Sequence, residues 1–233
     1  LENRMAREGV EVKLGTPVTV ETVKREKPDV LVVASGAKVL SIDVPGIDKP
    51  HVVSAWDVLG ERVADIGANV VVVGGAATGC ESAHFIASMG TVDPEAFTFL
   101  MYHAAEDTGF AKELLHNSRR KITIIDMVPR LADNVGRTSR WSLMKRLRLM
   151  GVELRPNTKL LEITDDAVIV ETEEGEQSIP ADTVVVAVGA VSVDDLSREI
   201  EGDEIEVITI GDAVEPRKMN DAILEGFERA LNL

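Results

Sequence analysis

Short runs of β-branched, apolar residues punctuate this chain, separated by stretches in which apolar positions return at helical spacing. The runs predict strands at Val10–Leu14, Val30–Ala34, Val70–Val73, Ile122–Ile125, Leu160–Ile163, Ala167–Glu171, Thr183–Val188 and Ile205–Ile210. Several are apolar at every position, as strands covered on both faces of a parallel sheet are. Helices are predicted over Thr78–Met89, Ser139–Met150 and Arg217–Leu231. In the second, Trp141, Met144, Leu147 and Met150 recur every three residues on one face, and Gly151 supplies the stop. The alternation predicts an α/β fold, a Rossmann-like three-layer dinucleotide-binding domain. Leu160–Val170, turning at Asp165-Asp166 with Glu173-Glu174-Gly175 beyond, predicts a β-meander laid on one face of the sheet.

Residues 91–120 exceed the short turn that a minimal βαβ unit needs between Met89 and Lys121. Asp93-Pro94-Glu95 offers an N-cap with proline at the first helical position, and Phe97, Leu100, Met101 and Ala104 follow at helical spacing. This predicts an inserted helical hairpin broken near Gly109, packed on the core or against another domain.

The chain also repeats itself. Gly9-Val-Glu-Val-Lys-Leu-Gly-Thr16 is echoed by Gly151-Val-Glu-Leu-Arg-Pro-Asn-Thr158, with Leu1, Arg4 and Met5 matching Leu143, Arg146 and Leu147. Asp29-Val-Leu-Val-Val-Ala-Ser-Gly-Ala37 is echoed by Asp182-Thr-Val-Val-Val-Ala-Val-Gly-Ala190. Two matches in the same order suggest a repeated unit. The second copy is preceded by a strand, a glycine-rich turn, a helix and another strand, for which the first copy has no counterpart. The expectation is a fragment of a longer enzyme.

Composition narrows the choice of partner. A formal net charge of −15 and a pI near 4.7 repel nucleic acid and anionic lipid, and the one basic run, Arg119-Arg120-Lys121, reads as a solvated helix end. No apolar run approaches the roughly 20 residues of a membrane span. The opening residues Leu-Glu-Asn-Arg-Met-Ala-Arg-Glu have no apolar stretch behind their charges, unlike a secretory signal. A soluble, cytoplasmic protein is expected. With Cys80 its only cysteine, the chain has no disulfide, no Cys-x-x-Cys pair and no all-cysteine metal site of its own, so redox chemistry requires a bound cofactor. His51, His84, His103 and His116 are scattered without ligand spacing, and no metal site is expected.

The candidate chemistry lies at Gly74-Gly75-Ala76-Ala77-Thr78-Gly79-Cys80-Glu81, a glycine-rich turn directly between a buried strand and a helix. Gly74 permits the tight turn, the small residue at 76 lets backbone approach a pyrophosphate, and Gly79 permits close helix–strand packing. Amides at the helix start face the phosphates. Ala76 departs from the usual glycine, a modest steric cost. Asp126 ends the next strand, where a carboxylate hydrogen-bonds a ribose 2′-hydroxyl and repels a 2′-phosphate, which selects NADH over NADPH; it also suits a plain turn cap. The insertion accounts for its distance from the glycines. Arg130 favours a phosphate instead. Glu81 and Cys80 are placed in the first helical turn, Glu81 against the helix dipole or the nicotinamide, Cys80 as a packed residue or a thiol acidified by the helix start. A stand-alone short-chain dehydrogenase is disfavoured, since Tyr102 has Glu106 rather than lysine four residues on.

Taken with Val32-Val-Ala-Ser-Gly-Ala37, Val44-Pro-Gly-Ile47, Pro129-Arg130-Leu131, Ala187-Val-Gly189 and Ile210-Gly-Asp-Ala213, the chain resembles the C-terminal portion of the bacterial NADH:flavin oxidoreductase family, which includes 2,4-dienoyl-CoA reductase, 2-enoate reductase and trimethylamine dehydrogenase. That resemblance implies a parent with an FMN-bearing barrel and an iron–sulfur cluster, followed by an FAD domain into which an NAD(P)H domain is inserted. It implies residues 1–60 and 190–233 as two parts of an incomplete FAD domain and 61–189 as the NADH domain. Gly36, Gly189, Gly211 and Asp212 then become cofactor contacts, with Ser35-Gly36 departing from the family's Thr-Gly. The implied partners are a nicotinamide dinucleotide and the barrel; the implied activity is hydride transfer from NADH to FAD, serving reduction of an enoate or enoyl-CoA. Such transfer needs alignment rather than a protein acid or base, so no catalytic side chain is assigned. The fragment alone is expected to be inactive and to retain no FAD. The resemblance to trimethylamine dehydrogenase implies an alternative, a structural ADP-binding module, which Ala76 leaves open.

Overall fold

The computed structural model describes residues 2–200 and 205–233. Leu1 of the repeat and residues 201–204 of the returning segment lie outside the described residues. In chain order the elements are α1 (Glu2–Arg7), α2 (Val20–Glu26), β1 (Val30–Val33), β2 (Ala37–Val39), β3 (Val52–Ser54), α3 (Ala55–Leu59), β4 (Asn69–Val73), α4 (Ala77–Ser88), α5 (Pro94–Tyr102), α6 (Thr108–His116) and β5 (Lys121–Ile125). They continue with α7 (Arg137–Leu149), β6 (Glu153–Arg155), β7 (Lys159–Ile163), β8 (Ala167–Thr172), β9 (Gly175–Pro180), β10 (Thr183–Val186), β11 (Ala190–Ser192), α8 (Asp195–Ile200), β12 (Glu206–Thr209), a 3-10 turn (Gly211–Ala213) and α9 (Met219–Ala230). Among the described residues no helix is long and apolar enough to cross a membrane.

The chain forms two compact units, a central one, Val39–Gly189, and a flanking one built from Leu1–Lys38 with Ala190–Leu233. The central unit is a three-layer α/β fold. Its five-stranded sheet runs in the order β3-β10-β4-β5-β6 with every pairing parallel. Val70 and Val72 of β4, with Ile122 and Ile124 of β5, pack against Ala83 and Ile86 of α4 and Leu143 and Leu147 of α7. Val71, Val73 and Ile125 point the other way and meet Leu160, Ile163, Val168 and Ile179 of the antiparallel meander β7-β8-β9. Because successive strand residues face opposite layers and both layers are apolar, the buried run Val70–Val73 of β4 must be apolar at every position. The sheet's direction of growth reverses at β4, which has β5 on one side and β10 on the other, so its carboxyl end is the crevice where such folds receive ligands.

Several expectations need correction. Residues 39–60 belong to the central unit, not the flanking one: β3 forms the sheet's edge against β10, and Ala55 and Val58 of α3 enter its core. Val10–Leu14 is not a strand. Val10, Val12 and Leu14 are 50%, 54% and 88% exposed, and among the described residues no strand pairs with the segment, whereas its repeat counterpart β6 pairs with β5. On α7 the buried stripe is Leu143, Met144 and Leu147, and Trp141 is 68% exposed beneath the Lys145 ammonium. A spacing of three residues drifts about 60° per step around a helix of 3.6 residues per turn, so the four residues cannot share one face. The insertion does fold as two helices, but the break precedes Gly109: Asp107 caps α6 by accepting from the Gly109 and Phe110 N–H groups. Asp93 caps α5 through the Ala96 N–H at 2.7 Å, yet α5 buries no residue and leaves Phe99 and Tyr102 exposed.

In the flanking unit β1 pairs in parallel with β12, in register from Val30↔Glu206 to Val33↔Thr209, and β2 pairs with β11. α9 follows the 3-10 turn and buries none of its residues.

Candidate nucleotide-binding site

The turn after β4 is shaped by what its glycines exclude. Gly74 adopts φ +104°, and a Cβ there would run into the backbone of Ala187, which follows β10. Its N–H donates to the Ile125 carbonyl at 2.9 Å, locking the turn to β5. A Cβ on Gly79 would collide with the Gly74 carbonyl oxygen and come within 3.2 Å of the Ala187 Cβ. The helix can therefore sit directly on the turn only with glycine at that position. Gly75 leaves no room either, because Leu131 covers it and the Asp126 Cβ would lie 3.3 Å away.

Ala76 is the N-cap of α4 and is exposed, with Ala77 and Thr78 half-buried behind it. Alanine offers no capping oxygen. Among the described residues the N–H groups of Ala76, Thr78 and Gly79 have no partner, whereas Ala77 N–H donates to Asn134 Oδ1 at 2.9 Å. Unpaired amides at the positive end of a twelve-residue helix make an anion-accepting surface.

Asp126, half-buried at the end of β5, is joined to this surface. Its Oδ2 accepts from the Gly75 N–H at 2.6 Å and its Oδ1 from the Val128 N–H at 3.1 Å. The residue is thus both a turn cap and a carboxylate beside the glycines. A carboxylate has about four acceptor positions, so two remain for hydroxyl groups. The loop beyond it is tied down: Ala132 N–H donates to the Gly75 carbonyl at 2.6 Å, and the Arg140 guanidinium grips the Leu131 carbonyl at 3.0 and 2.9 Å. Arg130 is exposed and ion-paired with Asp133 at 3.1 Å.

Cys80 is fully buried, its Sγ 3.4 Å from the Gly75 carbonyl, and burial pushes its thiol up to about 11, Arg140 offsetting only part of the shift. It is a packing residue, not a nucleophile. Glu81 is exposed and is the fifth residue of α4, and no acidic residue occupies that helix's first turn, so the dipole role expected of it is not available.

The other residues singled out from sequence lie after strand ends. In the central unit Gly189, at φ +115°, accepts from the Leu40 N–H at 3.1 Å. In the flanking unit Gly36 (φ +77°) and Gly211 (φ +64°) follow the paired strands β1 and β12. A Cβ on Gly36 would meet nothing within 4 Å. Gly211 N–H donates to Glu225 Oε2 at 2.8 Å, which with Arg217 holds that carboxyl below its ordinary range; Asp212 accepts from the Arg217 N–H at 3.1 Å. Asn134 and Glu225 were not anticipated from sequence, and Leu131 entered only within the Pro129-Arg130-Leu131 motif, with no role. Asn134 and Glu225 act on turns 57 and 14 residues away, and nothing in their immediate neighbours marks them.

The model of the pyridine nucleotide-disulphide oxidoreductase family matches residues 1–215. A metal reductase of Desulforamulus reducens is 35% identical over 227 residues, 96% of this chain and 34% of that protein. An NADH oxidase of Thermoanaerobacter brockii is 31% identical over 235 residues, 99% of this chain and 32% of that protein. A 2-naphthoyl-CoA reductase solved with 2-naphthoyl-CoA superposes with a TM-score of 0.80 at 26% identity, covering 100% of this chain and 31% of that one. The chain therefore spans about a third of the length of the relatives it matches.

Proposed function

From the premise that this chain belongs to the pyridine nucleotide-disulphide oxidoreductase family, we propose that its central unit binds NADH as the electron-input domain of a flavin enzyme. One observation carries the reading: the N–H groups of Ala76, Thr78 and Gly79, without a partner among the described residues, and the Asp126 carboxylate meet at one turn, on the carboxyl edge of neighbouring strands. Gly74, Gly75, Ala76, Ala77, Thr78 and Gly79 would receive the pyrophosphate, and Asp126 the adenosine ribose. Gly189 would border the same crevice. Bound NADH supplies hydride chemistry; the protein's part is to bind, orient and exclude water.

The flanking unit, with Gly36, Gly211 and Asp212, would supply part of an FAD site; Gly36 leaves open space, while the Gly211 N–H is already taken by Glu225. The resemblance to NADH:flavin oxidoreductases, supported by the likeness to a 2-naphthoyl-CoA reductase, suggests an enoate or enoyl-CoA substrate for the whole enzyme. An FMN and iron–sulfur barrel would be the partner.

Calorimetric titration with NADH, NADPH and ADP tests the central claim. NADH is expected to bind tightest, and Asp126→Ala to weaken it about 10-fold or more, the range of a lost hydrogen bond to a charged group. Equal affinity for ADP and NADH would favour a structural ADP module, the reading that the exposed methyl of Ala76 at the phosphate position supports.

A further inference from the structure

We infer that Asp133 is a second determinant of cofactor choice: by pairing with Arg130 it withholds the loop's guanidinium from a 2′-phosphate. The inference rests on the NADH reading above.

Between Asp126 and Asn134 the loop carries one cation, Arg130, the residue type that accommodates a 2′-phosphate next to such a turn. That guanidinium is engaged by Asp133 Oδ1 at 3.1 Å. The pair is not set by two free side chains alone. Leu131 and Ala132, which separate the partners, are buried and anchored to the glycine turn through the Ala132 N–H, the Arg140 guanidinium and the contact of Leu131 with Gly75. Ala132, between the two partners, adopts φ +53°. With both carboxylates ionised, Asp126, Arg130 and Asp133 together carry a net charge of −1, and a phosphate dianion gains nothing from approaching them. Arg140 is committed to the Leu131 carbonyl and does not compensate. Both members of the pair are exposed, so salt screens them and the effect is several-fold rather than orders of magnitude.

The wild-type chain, Asp133→Asn, Arg130→Ala and the double variant are titrated with NADH and with NADPH at low salt. Asp133→Asn is expected to tighten NADPH about 5-fold, the upper range of an exposed ion pair, and to leave NADH within about 2-fold. Adding Arg130→Ala removes that gain, and so does high salt. Both substituted positions are exposed, and Asp133→Ala repeats the test should the asparagine find a new partner. If the wild type binds NADH but Asp133→Asn leaves NADPH unchanged, or the gain survives Arg130→Ala, this inference is overturned and the NADH reading stands. If the wild type binds neither dinucleotide, both fall.

Discussion

The strings Asp182-Thr-Val-Val-Val-Ala and Asp29-Val-Leu-Val-Val-Ala are nearly the same, yet they meet different fates. In the central unit β10 lies between β3 and β4, and all four of its residues are buried. In the flanking unit β1 pairs with β12 alone among the described residues, and only Val33 of its four is buried. The sequence of a strand sets what it can bury; its neighbours set what it does bury. A parallel strand with one described partner and one buried residue has gained less of the hydrophobic energy that its composition allows.

Glycine substitutions are expected to show the contrast most strongly. Gly79→Ala places a Cβ against the backbone of Gly74 and should cost about 3 kcal/mol, with loss of dinucleotide binding, because backbone cannot step aside as a side chain does. Gly36→Ala meets open space and pays only for its left-handed backbone, about 1 kcal/mol. Urea unfolding of both variants checks this, and equal destabilisation would erase the distinction.

The valines come next. Val185→Ala, at 0% exposure in β10, should cost about 2 kcal/mol, whereas Val32→Ala, at 43% exposure in β1, should cost less than about 0.5 kcal/mol. Amide exchange sharpens the same point, with Val184–Val186 expected to exchange more slowly than Leu31–Val33.

The smallest effect concerns acid. All four histidines, His51, His84, His103 and His116, lie in the central unit. Burial, assisted by the Arg146 charge, holds His84 below the ordinary imidazole value. The unfolded chain then takes up its proton first, so the contribution of His84 to stability is intact above about pH 7 and declines as pH falls through about 6.5. Urea midpoints at pH 7.5 and 5.5 should differ less in His84→Gln than in the wild type; an unchanged difference would mean that another group titrates.

The parts of this molecule legible in its sequence were those governed by local rules. Gly74 and Gly79 follow from the backbone of a strand–turn–helix joint, and the apolar run Val70–Val73 of β4 from having two layers to satisfy. Asp93 before Pro94 announced α5 for the same reason. Long-range relations were not legible. Val10–Leu14 has strand composition but no strand paired with it among the described residues, and the three-residue period that enlisted Trp141 departs from helical geometry. Asn134 caps a helix 57 residues earlier through a contact that only the folded chain creates. The boundary near residue 60 misplaced β3, because a three-residue edge strand, Val52–Ser54, is too short to reveal which sheet it joins.

The closed environment of Cys80 has a practical side. A thiol raised to about 11 keeps about one molecule in ten thousand as thiolate at neutral pH, and Sγ is walled in by the turn and the loop above it. Maleimide dyes should leave the folded chain unlabelled, peroxide should not convert it to a sulfenic acid, and purified material should stay free of crosslinked dimers without added reductant. The same thiol becomes reactive once the protein opens, so its rate of labelling is a built-in clock for unfolding of the central unit.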